Sequence, residues 1–141
     1  MFTRPTFSLT HAAVLEMLRA GVTQAEALEQ PQCIVIVDAS GETLAQLRMT
    51  GAKFLSLKSA RAKARTAASI GQETTAIPEA VDSAIAAATE GDVTRLPGGL
   101  PIYQGSALLG GIGVGSGSPD QDITVATAAL KAVGLSAAAA G

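Results

Sequence analysis

Apolar residues at Val14, Met17, Leu18, Gly21, Ala25 and Leu28 share one face at helical spacing, which predicts a first helix. Thr10 is its expected N-cap and Pro31 its stop, while residues 1–9 show no periodicity and read as a leader. Gln32 to Val37 is a continuous β-branched run, short enough to be a buried strand. Asp38-Ala39-Ser40-Gly41 reads as a turn, and Glu42 to Met49 as the partner strand of a hairpin. In that partner Thr43, Ala45 and Leu47 lie on one face, and Leu44, Gln46 and Arg48 on the other. A second helix is predicted from Lys53 to Ile70 with Gly71 as its C-terminal cap, and a shorter one from Pro78 to Thr89. Leu96 to Asp122 is rich in glycine and reads as two short strands joined by a turn. A helix start follows, with Ser118 as N-cap, Pro119 at the first position and Gln121 closing a capping box. The last helix is expected to run to about Val133, with residues 135–141 a fraying tail. The order helix, hairpin, two helices, hairpin, helix favours an α+β fold, an antiparallel sheet with helices against it, over a doubly wound parallel sheet.

Composition narrows this picture. A chain of 141 residues, 48% hydrophobic and 16% charged, is expected to form a single globular domain over 1–141. A formal net charge of -2 argues against nucleic acid as the main partner. No stretch approaches the length of a membrane span, and the N-terminus lacks the pattern of a signal peptide. Cys33 is the only cysteine, so no intrachain disulfide can form; a cytoplasmic protein is expected. The mean hydropathy of +0.34 leaves an apolar surplus, for which a homo-oligomer interface is the natural place.

Few residues carry recognisable chemistry. Lys58, Arg61 and Arg65 form a stripe on the second helix that reads as solvated surface. Lys63 points away from it, beside Ala60, Ala64, Ala67 and Ile70, where a lysine must either snorkel to water or meet an anion. If it meets a ligand, the expectation is that Lys63 ends near Gly98 and Gly99 at a pocket rim, and that Lys63→Met keeps the fold but weakens anion binding. His11, the only histidine, opens the first helix; it is either surface decoration or a metal ligand kept neutral by the helix dipole. Cys33 reads as core. Glycines from Gly98 to Gly113 either mark bulges at a tight sheet edge or leave room for a second backbone or a flat ligand. Asp120 and Asp122 in the first turn of the last helix complement its dipole and make that terminus a poor phosphate site. The dinucleotide and phosphate-loop glycine patterns are absent, and one histidine with one distant cysteine does not make a zinc site.

Four motifs in order resemble the GlcG/HbpS-like family of haem-binding or haem-degrading proteins, a domain type also found at the C-terminal end of some PduO-type corrinoid adenosyltransferases. They are Val37-Asp38-Ala39-Ser40-Gly41, Ala60-x-x-Lys63-Ala64-x-Thr66-Ala67 and Gly98-Gly99-Leu100-Pro101-Ile102. The fourth is Leu109-Gly110-Gly111-Ile112-Gly113-Val114-x-Ser116-Gly117, running into a helix with Asp122. The resemblance implies a five-stranded antiparallel sheet flanked by helices, a profilin-like α/β sandwich, and a homo-oligomer. It also implies a flat hydrophobic ligand: haem first, a corrinoid second. On that reading His11 would ligate iron, with Cys33 and Tyr103 as the other candidates, and slow haem degradation would be the activity. Lys63 would pair a propionate, with Thr66 beside it, while Gly98, Gly99, Gly110 and Gly111 would admit the ring. The alternatives are an enzyme or accessory protein acting on a small organic acid, with Lys63, Asp38 and Thr66 as catalytic candidates, or a ligand-free oligomeric partner protein.

Overall fold

Helix α1 (His11–Ala27) begins where the Thr10 hydroxyl accepts the Ala13 N–H, and it buries Val14, Met17, Gly21 and Ala25. A computed structural model describes residues 1–141. After α1 come β1 (Cys33–Asp38), β2 (Thr43–Arg48), α2 (Ser56–Ile70), α3 (Asp82–Ala88), β3 (Gly99–Gln104), β4 (Ala107–Gly115) and α4 (Pro119–Ala132). The strands form one antiparallel sheet in the order β2-β1-β4-β3. It is thus an α+β fold with four strands, where five were expected.

The missing strand has a physical explanation. Beyond α4 the chain does return to the free edge of β3: Tyr103 and Ser136 exchange two backbone hydrogen bonds of 2.7 and 3.0 Å, and Ala140 N–H donates to the Gly105 carbonyl. Only the Tyr103–Ser136 pair forms a ladder bridge. An Ala-rich tail offers no β-branched or aromatic side chains to extend the pairing into a strand. The same edge tolerates Pro101 within β3, because the outer side of an edge strand needs no proline N–H.

The sheet is packed on both faces, which is why β1 reads as an unbroken apolar run. Ile34, Ile36, Ile112 and Val114 face α1 and α4 in a core cluster that includes Met17, Ile102, Val125 and Leu130. Cys33, Val35 and Val37 face α2, where they meet the buried alanines Ala60, Ala64 and Ala68, with Leu57 at the margin. Small residues on both sides let α2 lie almost on the backbone of β4. Cβ atoms added at Gly111 and Gly113 would overlap the carbonyl oxygens of Ala64 and Ala60. The glycines of β4 therefore admit a second backbone, that of α2. Helix α2 starts at Ser56, later than the expected Lys53, because Lys53 N–H is held by the Ser116 hydroxyl at 3.0 Å and residues 53–56 form a turn closed by the Ser56 N–H on the Lys53 carbonyl. The stretch from Pro78 is a short 3-10 turn, Glu79–Val81, before α3.

Candidate functional site

Two polar clusters lie against α2, one buried and one open. Lys63 is in the buried one, at 5% exposure. Its ammonium donates to the Val114 carbonyl at 2.7 Å and to Asp122 Oδ2 at 3.1 Å. Asp122 Oδ1 accepts the Gly117 N–H at 3.1 Å, and its side chain is 5% exposed. The lysine thus neither snorkels nor reaches solvent; it meets an anion supplied by α4. Burial pushes the Asp122 carboxyl above the usual range, while the Lys63 charge and hydrogen bond and the Gly117 N–H pull against that rise. Asp122 is thus the partner of Lys63 and not only a complement to the dipole of α4. The signal was present: Asp122 lies at helical spacing with Val125, Ala126 and Ala129, the buried face of α4.

The surrounding glycines fit this pair tightly. Gly98 takes φ +112, open to glycine and strained for other residues, and a Cβ there would stand 3.2 Å from Lys63 Nζ and 2.7 Å from the Val114 oxygen. At Gly99 a Cβ would overlap the Thr74 methyl, at Gly110 the Val37 carbonyl oxygen, and at Gly111 the Ala64 carbonyl oxygen. On the side where a Cβ would stand, Gly98, Gly99, Gly110 and Gly111 are each met by the chain itself. Gln32 is fully buried next to Gly117, and neither its amide nitrogen nor its oxygen has a hydrogen-bond partner.

The open cluster gathers the β1–β2 turn, the last turns of α2 and the loop after α3. Asp38 Oδ1 accepts the N–H groups of Ser40 and Glu42 at 2.8 and 3.0 Å, so this carboxylate shapes the turn. Thr66 Oγ1 donates to the Asp92 carbonyl and accepts the Thr94 N–H, both at 3.0 Å. Thr66 therefore fixes the 92–94 loop on α2. Arg65, expected in open water, lies across the turn with its Nε 3.5 Å from Asp92 Oδ1. Arg65 and Asp92, with Ser40, Gly41, Ser69 and Thr89, line a cavity of about 370 Å³.

The remaining candidates stand apart from both clusters. His11 is exposed at the start of α1. Cys33 is fully buried; burial raises its thiol pKa, with Arg48 opposing, and its Sγ donates to the Lys53 carbonyl at 3.5 Å. The Tyr103 hydroxyl donates to the Gly71 carbonyl at 2.8 Å. No group of three or more His, Cys, Asp or Glu side chains is placed to hold a metal ion. No helix is long and apolar enough to cross a membrane.

An antiparallel sheet with helices on both faces, and a lysine–aspartate pair buried between α2 and α4, define an α+β sandwich. The chain belongs to the family described as haem degrading protein HbpS-like, whose model matches residues 9–131. Corrinoid adenosyltransferase PduO of Citrobacter freundii is 33% identical over 136 residues, which cover 93% of this chain and 41% of that protein. The chain thus spans about two fifths of the length of the first curated relatives it matches. Among solved structures, the PduOC haem complex superposes with a TM-score of 0.87 at 28% identity, covering 94% of this chain and 99% of that one. A double mutant of Streptomyces reticuli HbpS gives 0.81 at 31%, covering 92% and 89%.

Proposed function

We propose that this chain is a haem-binding protein of the HbpS-like family. The observation that carries the reading is the near-complete superposition on the PduOC haem complex, at a TM-score of 0.87. His11 is the residue suited to hold the iron. Its imidazole is exposed, whereas the Cys33 thiol is buried and the Tyr103 hydroxyl is engaged by Gly71. Leu15, one turn along α1, is 56% exposed and Phe7 of the leader is 62% exposed, which leaves apolar surface on that side of the molecule. A haem on His11 would lie on the surface of one copy and be closed off by a second, so binding and self-association are expected together. Bound haem would supply a redox-active iron, and slow haem degradation is the activity consistent with the family's description. Lys63 stays with Asp122 in this reading.

Titration with hemin tests it. The wild-type chain is expected to shift the Soret band, and His11→Ala to weaken binding and move the band. Absence of any Soret change with the wild-type chain would defeat the reading; an unchanged His11→Ala spectrum would remove His11 as the ligand.

Self-association has a second support. Phe54 and Leu55 are each 67% exposed and Leu96 is 53% exposed, with Leu55 and Leu96 lining one shallow groove. Sedimentation at micromolar concentration is expected to show a species larger than 14.1 kDa; a single monomer boundary would count against it.

A further inference from the structure

The Arg65 side chain is half-buried, and its one ion pair is the long one with Asp92. Its side chain is only 28% exposed, and it lies 3.5 Å from Asp92 without donating a hydrogen bond to the protein. A guanidinium carries five donors in a fixed fork, and here they are left to solvent or to a ligand that enters the cavity Arg65 lines. The neighbouring polar groups are already committed. Asp38 holds the turn and Thr66 holds the loop. The Thr89 hydroxyl donates to the Ile85 carbonyl and accepts the Val93 N–H. The hydroxyls of Ser40 and Ser69 line the same cavity without partners in the protein. The turn lies against the arginine: Gly41, whose φ of +82 favours glycine, would place a Cβ in ordinary contact with Arg65 Cζ at 3.7 Å.

We propose that this cleft, between the β1–β2 turn, α2 and the loop after α3, binds a small zwitterion of the α-amino-acid class. The carboxylate sits on the Arg65 fork, with Ser40 or Ser69 donating, and the ammonium sits on Asp92. Charge selects this class over a simple acid. Arg65 and Asp92 together are neutral, and a lone carboxylate on Arg65 would also face the Asp92 carboxylate. A zwitterion carries both signs one carbon apart, matching two groups that stand side by side. The guanidinium fork offers two parallel bonds to a carboxylate. About 370 Å³ is ample room for a ligand of that size. The site is independent of the haem reading and shares no residue with it.

The test is two-dimensional amide NMR of the haem-free full chain. Two zwitterions, L-alanine and L-serine, are titrated against two acids lacking the ammonium, propionate and glycolate. The zwitterions are expected to shift the amide signals of Ser40, Ser69 and Asp92, and the acids to bind at least about tenfold more weakly. Arg65→Gln and Asp92→Asn should each weaken zwitterion binding by about tenfold or more, with the remaining spectrum unchanged. Three results would overturn the proposal: no shift at up to about 20 mM ligand, equal binding of the acids, or undiminished binding by Arg65→Gln. A failed hemin titration leaves this test untouched, so the two readings fall separately.

Discussion

Gly113→Ala is expected to cost on the order of 4 kcal/mol or more and to lower the melting temperature by over about 10 °C. The new methyl would overlap the carbonyl oxygen of Ala60 and stand 2.6 Å from the Ala64 nitrogen. Both are backbone atoms of α2, so no rotamer change relieves the clash; the helix itself must lift from the sheet. Lifting α2 loosens the alanine contacts with Cys33, Val35 and Val37 and stretches the bonds of Lys63 to Val114 and Asp122. The same strand contains its own control. At Gly115 a Cβ would stand 3.1 Å from the Ser56 oxygen and 3.3 Å from the Ser59 hydroxyl, near the start of α2. Gly115→Ala should therefore cost much less, within about 1–2 kcal/mol. Thermal unfolding of the two variants checks the order. A Gly113→Ala protein melting within a few degrees of wild type would mean that α2 and β4 are not in close contact.

The local pattern made most of the elements legible. Thr10 and Ser118 cap helices as their side chains suggested, and both sides of the capping box at Ser118–Gln121 are present. The buried strand β1 and the half-buried Ala45 and Leu47 of β2 follow from run length and alternation. What was hidden is what depends on partners distant in sequence. The Lys63–Asp122 pair spans 59 positions, and the first turn of α4 offered Asp122 a sufficient local reason in the helix dipole. Arg65 shares a stripe with Lys58 and Arg61, and it is the β1–β2 turn and the loop around Asp92, fixed by Thr66, that cover it. Glycine density along β4 announced a close approach without saying what approached, whether backbone or ligand. The fifth strand came from family resemblance alone, and here the alanine tail meets β3 at one bridge.

Lys63→Met is expected to destabilise the fold by about 3–5 kcal/mol at neutral pH, because it leaves the Asp122 carboxylate buried without its cation. The structure reverses what the sequence suggested, that methionine would keep the fold and weaken only anion binding. Methionine fills the volume, but the Val114 carbonyl and Asp122 Oδ2 both lose their donor. Lys58→Met, at an exposed position of the same helix, should stay within about 0.5 kcal/mol. The pH dependence carries a definite sign. The folded pKa of Asp122 is already raised above its unfolded value by burial, so the folded state holds the proton more tightly. Stability from this group therefore grows as pH falls through the folded pKa towards the unfolded one, and is lost as pH rises. Removing Lys63 takes away the charge that opposed the rise, so the folded pKa climbs further and the window widens upward. The gap between wild type and Lys63→Met should thus be widest near pH 7 and narrow towards about pH 4, as the variant's Asp122 takes up its proton. Adding Asp122→Asn to Lys63→Met removes the stranded charge and keeps an oxygen for the Gly117 N–H. The double variant should then recover about 2 kcal/mol relative to the sum of the single changes. Denaturant unfolding of the four proteins of this cycle at both pH values checks the pair. Additive costs, or a gap that does not change with pH, would show that Lys63 and Asp122 do not act as a buried ion pair.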